Sequence, residues 1–291
     1  MELHPIFERD TSPNFDLWYV LSAYGDCPSV RVGHTCTFVP GEENSNGKVL
    51  VIGGANPSGP FAETYILDLE TFNWELIEAT GLRARYEHAT FVPENQPNKV
   101  YVFGGADQSG NHNDMQVFDL KNMKWSCVQT KGQAPAARTY HNCVCVGDRF
   151  IVYSGGHCGS DPVGDRQVHI FDASTLTWSI LTTRGDTPKP RHGHLMVAHN
   201  NKVYLHGGMA GTHFYDDLHV LDLEKKSWSH VKSKKGHPCA RAAHGGVVCD
   251  GYLHIFGGMN REGALDDAHK LCLGKLTFHF DVFYHYLSYM L

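Results

Sequence analysis

Residues 191–230 read RHGHLMVAHNNKVYLHGGMAGTHFYDDLHVLDLEKKSWSH. Five marks stand in this stretch: Arg191 with His194, the pair Gly207-Gly208, Asp217, Asp222 and Trp228. Each recurs along the chain at a period of about fifty residues. Gly-Gly pairs stand at Gly53-Gly54, Gly104-Gly105, Gly155-Gly156, Gly207-Gly208 and Gly257-Gly258, with spacings of 51, 51, 52 and 50. R-x-x-H occurs as Arg31/His34, Arg85/His88, Arg138/His141, Arg191/His194 and Arg241/His244. Tryptophan falls at 18, 74, 125, 178 and 228. Nine residues after each second glycine stands an acid: Glu63, Asp114, Asp165, Asp217 and Asp267. Six residues before four of the tryptophans stands an aspartate: Asp68, Asp119, Asp172 and Asp222. Five series in one register define an internal repeat, which fixes the architecture before any single element does.

Each repeat reads as sheet. Segments such as YILDL, QVFDL, VHIFD and LHVLDL are rich in β-branched and aromatic residues and are bounded by turn formers. The run before each diglycine (VLVI, VYVF, FIVY, VYLH, LHIF) is apolar on both faces, as a strand between two packed layers must be. The aspartate before the tryptophan suits a hairpin turn, where its carboxylate bonds its own backbone. The tryptophan opens the next strand and brings a large apolar area. Four short strands per repeat cannot cover their own apolar faces, so the repeats must stack. Radial stacking of four-stranded sheets predicts an all-β chain folded as a β-propeller.

The composition agrees. The 291 residues are 42% hydrophobic and 19% charged, and the net charge of -6 gives no general pull toward nucleic acid or anionic lipid. Nine cysteines include no C-x-x-C, so Cys143 and Cys145 read as apolar residues on one strand face. The opening MELHPIFERD carries no secretion signal. No apolar run reaches the roughly eighteen residues of a membrane span. These features lead us to expect a reduced, cytosolic protein without a cofactor.

The diglycine and the spaced aromatic residue resemble the kelch family from about Trp18 to Phe278. The likeness implies a kelch-type propeller and leaves no room for a separate oligomerisation module. Within the family, the stretches DCPSVRVGHTC, IGGANP, LRARYEHATF, VFGGADQSGN, PRHGHLMVA, HGGMAGTHFYDDLH and IFGGMNREGALD are similar to members that act as effectors of a late-endosomal Rab GTPase. That likeness implies a non-enzymatic scaffold for a Rab partner and other trafficking proteins. It further implies a cytoplasmic location, peripheral on endosome or trans-Golgi network membranes, and a part in vesicle transport between them.

Two ends break the period. Trp18-Tyr19-Val20-Leu21 reads as the last strand of a repeat whose first three strands are absent upstream. Phe278 replaces the sixth tryptophan, and HFDVFYHYLSYML closes the chain without a further R-x-x-H. The expected organisation is an N-terminal extension over 1–17, a propeller over 18–278 with five repeats and a closing strand, and a divergent aromatic tail over 279–291. The propeller is expected to be incomplete or irregularly closed, as in a shortened form of the family.

Two site readings compete with a plain scaffold. In some kelch domains the arginine entering each first strand receives acidic peptides, a role that suits the guanidinium fork. This makes Arg31, Arg85, Arg138, Arg191 and Arg241 a candidate interaction face, unless each pairs with one of the five repeated acids. A metal-dependent specifier protein of the family would need Glu-x-x-x-Asp-x-x-x-His. Glu262 and Asp266 fit, but His269 comes one residue early, which on a strand reverses the side chain. The partner loops are expected after each diglycine, at Asn56, Asp107, Asn111, His112, His157, Asp161, His213 and Tyr215. The loop histidines His112, His157 and His213 are expected to face solvent.

Overall fold

The computed structural model describes residues 4–8, 11–12, 14, 19–41, 45–139, 142–158, 161–232 and 237–280. Trp18, His141 and the tail beyond Phe280 lie outside the described residues.

Five sheets, each with four antiparallel strands and two of them with an added short parallel edge strand, follow one another as blades of a propeller. Blade I comprises Thr35–Val39, Lys48–Ile52, Thr64–Asp68 and Asn73–Ile77. Blade II comprises Ala89–Phe91, Lys99–Phe103, Met115–Asp119 and Lys124–Cys127. Blade III comprises Cys143–Val146, Arg149–Tyr153, Val168–Asp172 and Thr177–Leu181. Blade IV comprises Leu195–His199, Lys202–His206, Leu218–Asp222 and Ser227–His230. Blade V comprises Gly245–Cys249, Tyr252–Phe256, Ala268–Cys272 and Thr277–Phe280. The turn aspartates act as their chemistry requires. Asp68 Oδ1 accepts the amides of Glu70 and Thr71 at 2.9 Å, and Asp222 does the same for Glu224 and Lys225.

One register differs from the sequence count. In blade III the second strand ends at Tyr153, so Ser154-Gly155 fills the place that the diglycine holds elsewhere. Ser154 takes the left-handed φ of 57° that Gly53 and Gly207 take at 61° and 63°. Its hydroxyl exchanges two 2.7 Å hydrogen bonds with the Arg191 backbone, which hold that conformation in place. Gly156 falls one position later, at the start of the strand Gly156–Cys158. The even spacing read from Gly155-Gly156 hides a one-residue insertion there.

The core lies between blades. One apolar cluster joins I to II around Leu50, Ile52 and Trp125, and another joins II to III around Phe91, Phe150 and Trp178. A third joins III to IV around Tyr153, Leu205 and Trp228, and a fourth joins IV to V around Leu218, Ile255 and Leu271. Among the described residues no such cluster joins V back to I. Phe38 on the free side of blade I is 56% exposed, and Val247 on the free side of blade V is 53% exposed. Phe91 and Val144, which stand in the register of Val247 in blades II and III, are 4% and 6% exposed. Val20–Leu21 pairs in parallel with Ile6–Phe7 and joins none of the five sheets. Among the described residues the blades therefore share four packed joints, and the seam between V and I is open.

This asymmetry has a measurable consequence. Val144→Ala removes two methyl groups from a packed joint and should cost about 2 kcal/mol. Val247→Ala, the same change at the same register position, should cost less than about 0.5 kcal/mol. Urea unfolding of both variants checks this, and equal losses would mean that the seam is packed.

Candidate partner-binding site

The five repeated arginines are built into the frame. Arg85, Arg138, Arg191 and Arg241 are 0% exposed, and Arg31 is also buried. Each Nε donates to the carbonyl two residues upstream, as Arg138 does to Ala136 at 2.9 Å. Each Nη1 donates to the carbonyl just after the second strand of its own blade: Gly53, Gly104, Ser154, Gly207 or Gly257, at 2.8–3.1 Å. Each also meets the acid of its own blade. Arg31 lies 2.7 Å from Glu63, Arg85 lies 2.8 Å from Asp114, and Arg138 lies 2.9 Å from Asp165. Arg191 grips Asp217 with both Nη atoms, and Arg241 grips Asp267 in the same way. Aromatic rings lie against two of them, Phe61 at 4.2 Å from Arg31 and Tyr215 at 3.9 Å from Arg191.

The arginine backbone belongs to the neighbouring blade. The Gly54 amide of blade I donates to the Arg85 carbonyl at 2.9 Å, and Gly105, Gly155 and Gly208 repeat the bond to Arg138, Arg191 and Arg241. One residue thus holds its own blade by its side chain and the preceding blade by its main chain. With the charge neutralised and the fork occupied, these guanidinium groups are spent on the frame. Histidines add to the same anchor. His219 lies 3.0 Å from Asp217, and His269 lies 2.8 Å from Asp267. Burial alone would raise the Asp165 and Asp267 carboxyls. His169 at 3.6 Å and the bond from Arg138, and the bonds from Arg241 and His269, outweigh it and hold both at about 2.

What varies stands on top of this frame. After each diglycine position a two-stranded hairpin projects: Ala55–Asn56 with Gly59–Pro60, Ala106–Asp107 with Gly110–Asn111, Gly156–Cys158 with Asp161–Pro162, Met209–Ala210 with His213–Phe214, and Met259–Asn260 with Gly263–Ala264. His157, Asp161 and His213 are exposed on them. Asn56 caps its own turn by accepting the Ser58 amide, and Asp107 accepts that of Ser109. Side chains link neighbouring hairpins. Asn111 donates to the His157 carbonyl at 2.7 Å, and Arg261 donates twice to that of Thr212. His112 corrects the expectation of a solvated loop histidine. It is buried, with Nε2 3.2 Å from Asp107, and belongs to the support of the hairpin. Tyr215 likewise lies against Arg191 and is half-buried. Between the hairpins of blades IV and V lies a cleft of about 380 Å³, lined by Phe214, Cys239, Asn260 and Arg261 among others.

The residues weighed for metal binding stand apart. Glu262 is exposed at a hairpin tip, while His269 points inward onto Asp267. Among the described residues no three His, Cys, Asp or Glu side chains come together as metal ligands. Cys143 and Cys145 share a face packed toward blade II, and burial raises both thiols, that of Cys145 to about 12.

One series escaped the sequence reading. Gly25, Gly81, Gly132 and Gly185 each follow a tryptophan by seven residues. Each lies against the tryptophan of the next blade: Trp74, Trp125, Trp178 and Trp228. Tyr24–Gly25 and Arg184–Gly185 pair in parallel with those outer strands and so cover their edges. The W-x₆-G spacing was the available signal.

The family model of the KLHDC2/KLHL20/DRC7 kelch-repeats domain matches residues 33–258. The chain belongs to the kelch-repeat family. Among its relatives is the Rab9 effector protein with kelch motifs of Bos taurus, 44% identical over 220 residues, which are 75% of this chain and 59% of that protein. The protein of the same name from Danio rerio is 44% identical over 230 residues, 75% of this chain and 66% of its own length. The chain thus spans about three fifths to two thirds of these two relatives. The solved structure of YjhT superposes with a TM-score of 0.68 over 86% of this chain and 84% of its own, at 18% identity, a likeness of fold. No helix among the described residues is long and apolar enough to cross a membrane.

Proposed function

We propose that this kelch propeller is a non-enzymatic interaction scaffold whose hairpin face binds a Rab-family GTPase. The observation that carries the reading is the similarity over three quarters of the chain to proteins named as Rab9 effectors. The geometry favours the hairpins over the arginines as the contact. The guanidinium groups are buried and paired, whereas His157, Asp161 and His213 stand exposed on the projecting hairpins. Recruitment by a membrane-bound GTPase would place the protein peripherally on endosome or trans-Golgi membranes, from the cytoplasm, and assist vesicle transport between them.

The test is a titration of the purified chain with Rab9 carrying a non-hydrolysable GTP analogue or GDP. Binding is expected with the GTP analogue and at least tenfold more weakly with GDP, about 1.4 kcal/mol. His213→Glu and His157→Glu should weaken it further without changing the melting temperature. No binding in either nucleotide state would remove the GTPase reading. Binding that ignores both hairpin variants would move the contact off this face.

A further inference from the structure

Where the second strand of each blade ends, an apolar residue faces the next blade: Ile52, Phe103 and Tyr153 in blades I to III, all fully buried. Blade IV breaks this rule with His206, which is also fully buried. Its Nδ1 lies 3.1 Å from Nε2 of His244, the R-x-x-H histidine of blade V, and the two rings meet edge to face at 5.0 Å. A pair of imidazoles linked by one hydrogen bond thus sits inside the IV–V joint. The Nδ1 of His244 is buried with no hydrogen-bond partner among the described residues.

The pair is placed to be neutral. Arg241, Asp217, Asp267 and His237 act on it electrostatically, and His34, Glu87, His88 and His194 line the central cavity with His244. Arg241 opposes any further positive charge. The two carboxylates are not free to offset one: Asp217 holds Arg191 and His219, and Asp267 holds Arg241 and His269. Burial first, then the neighbouring His244 and Arg241, keeps His206 well below the usual histidine range. Burial first, then Arg241, brings His244 to about 3.

We propose that the IV–V joint is an acid-opened latch, in which proton uptake by the His206–His244 pair frees blade V from blade IV while blades I to IV stay packed. The open seam makes the effect local, because among the described residues blade V has an apolar joint on one side only. The sign follows from linkage. Both groups have depressed values in the folded state, so their contribution is full above the ordinary histidine value of about 6.5 and is lost as pH falls below it.

Hydrogen exchange of the whole chain at pH 7.5, 6.5, 5.5 and 5.0, corrected for intrinsic rates, tests this. The opening constant of blade V, read at Leu253, Ile255 and Leu271, should rise about tenfold per pH unit below 6.5 for each proton taken up, while blade II stays unchanged. His206→Phe and His206→Ile, which install the residues of blades II and I, should abolish that slope. A slope that persists in these variants, or one shared equally by all blades, would overturn the latch. A third measurement uses the wild type alone, in case neither variant folds. If the His206 and His244 imidazole resonances titrate near 6.5 with blade V protection unchanged, the latch is likewise overturned.

Discussion

Arg191→Met is expected to cost about 3–5 kcal/mol of folding stability, the range for removing one partner of a buried ion pair. Methionine keeps much of the packing volume but leaves four bonds unmade, one to Lys189, one to Gly207 and two to Asp217. It also strands the Asp217 carboxylate beside His219 in a half-buried site. Adding Asp217→Asn should recover part of the loss, because no orphan charge then remains. Arg261→Met supplies the control: this arginine is exposed and among the described residues bonds only the Thr212 carbonyl, so its replacement should change stability by less than about 0.5 kcal/mol. Urea denaturation of the four proteins measures all of this. A loss below about 1 kcal/mol for Arg191→Met would show that the pair is dispensable, and would reopen the arginines as a site for acidic ligands. The same frame sets an acid limit. Asp165 and Asp267, held at about 2 against an unfolded value near 3.9, contribute stability that is present above about pH 4 and lost as pH falls through 2.

Gly185→Ala is expected to cost about 2–4 kcal/mol, an unusual penalty for a linker residue. Its φ of +88° is strained for any side chain, a cost of about 1–2 kcal/mol. An added Cβ would lie 2.2 Å from the Trp228 carbonyl oxygen, so the linker must also lift away from the outer strand of blade IV. Lifting breaks the parallel pairing of Arg184–Gly185 with Ser227–Trp228 and uncovers that edge. Gly211→Ala makes the comparison clean. It also has a positive φ, of 58°, but nothing lies within 4 Å of the added carbon, so only the backbone strain should appear. Equal losses at the two positions would mean that the contact with Trp228 carries no weight.

The sequence carried most of the frame because the frame is repeated. A five-fold register of arginine, acid, diglycine and tryptophan predicts the blades, the turn aspartates and the ion pairs, each of which forms within one repeat. It failed where one repeat meets the next. The Gly185 contact joins a linker to a different blade, and the His206–His244 pair spans two blades. Ser154 passed unnoticed because a serine can hold a left-handed turn when its hydroxyl is bonded on both sides, and two glycines stood one position later. The hairpin residues were the least legible. His112 and His213 look alike in sequence, yet one folds under the hairpin onto Asp107 and the other stands in solvent. No periodicity constrains such residues.

The arginine that closes its own blade by its side chain and the preceding one by its carbonyl changes how the molecule should come apart. Five units with four couplings among the described residues form a linear array, and a linear array melts like a zipper with nearest-neighbour terms. A terminal unit is held by one coupling and an interior unit by two, so opening should begin at the ends and move inward. A lesion in blade III would then divide the array into two short runs, each with a single coupling left, whereas the same lesion in blade V would shorten it by one unit. The harm done by equivalent substitutions should therefore depend on their position along the chain, even where the local contacts are the same.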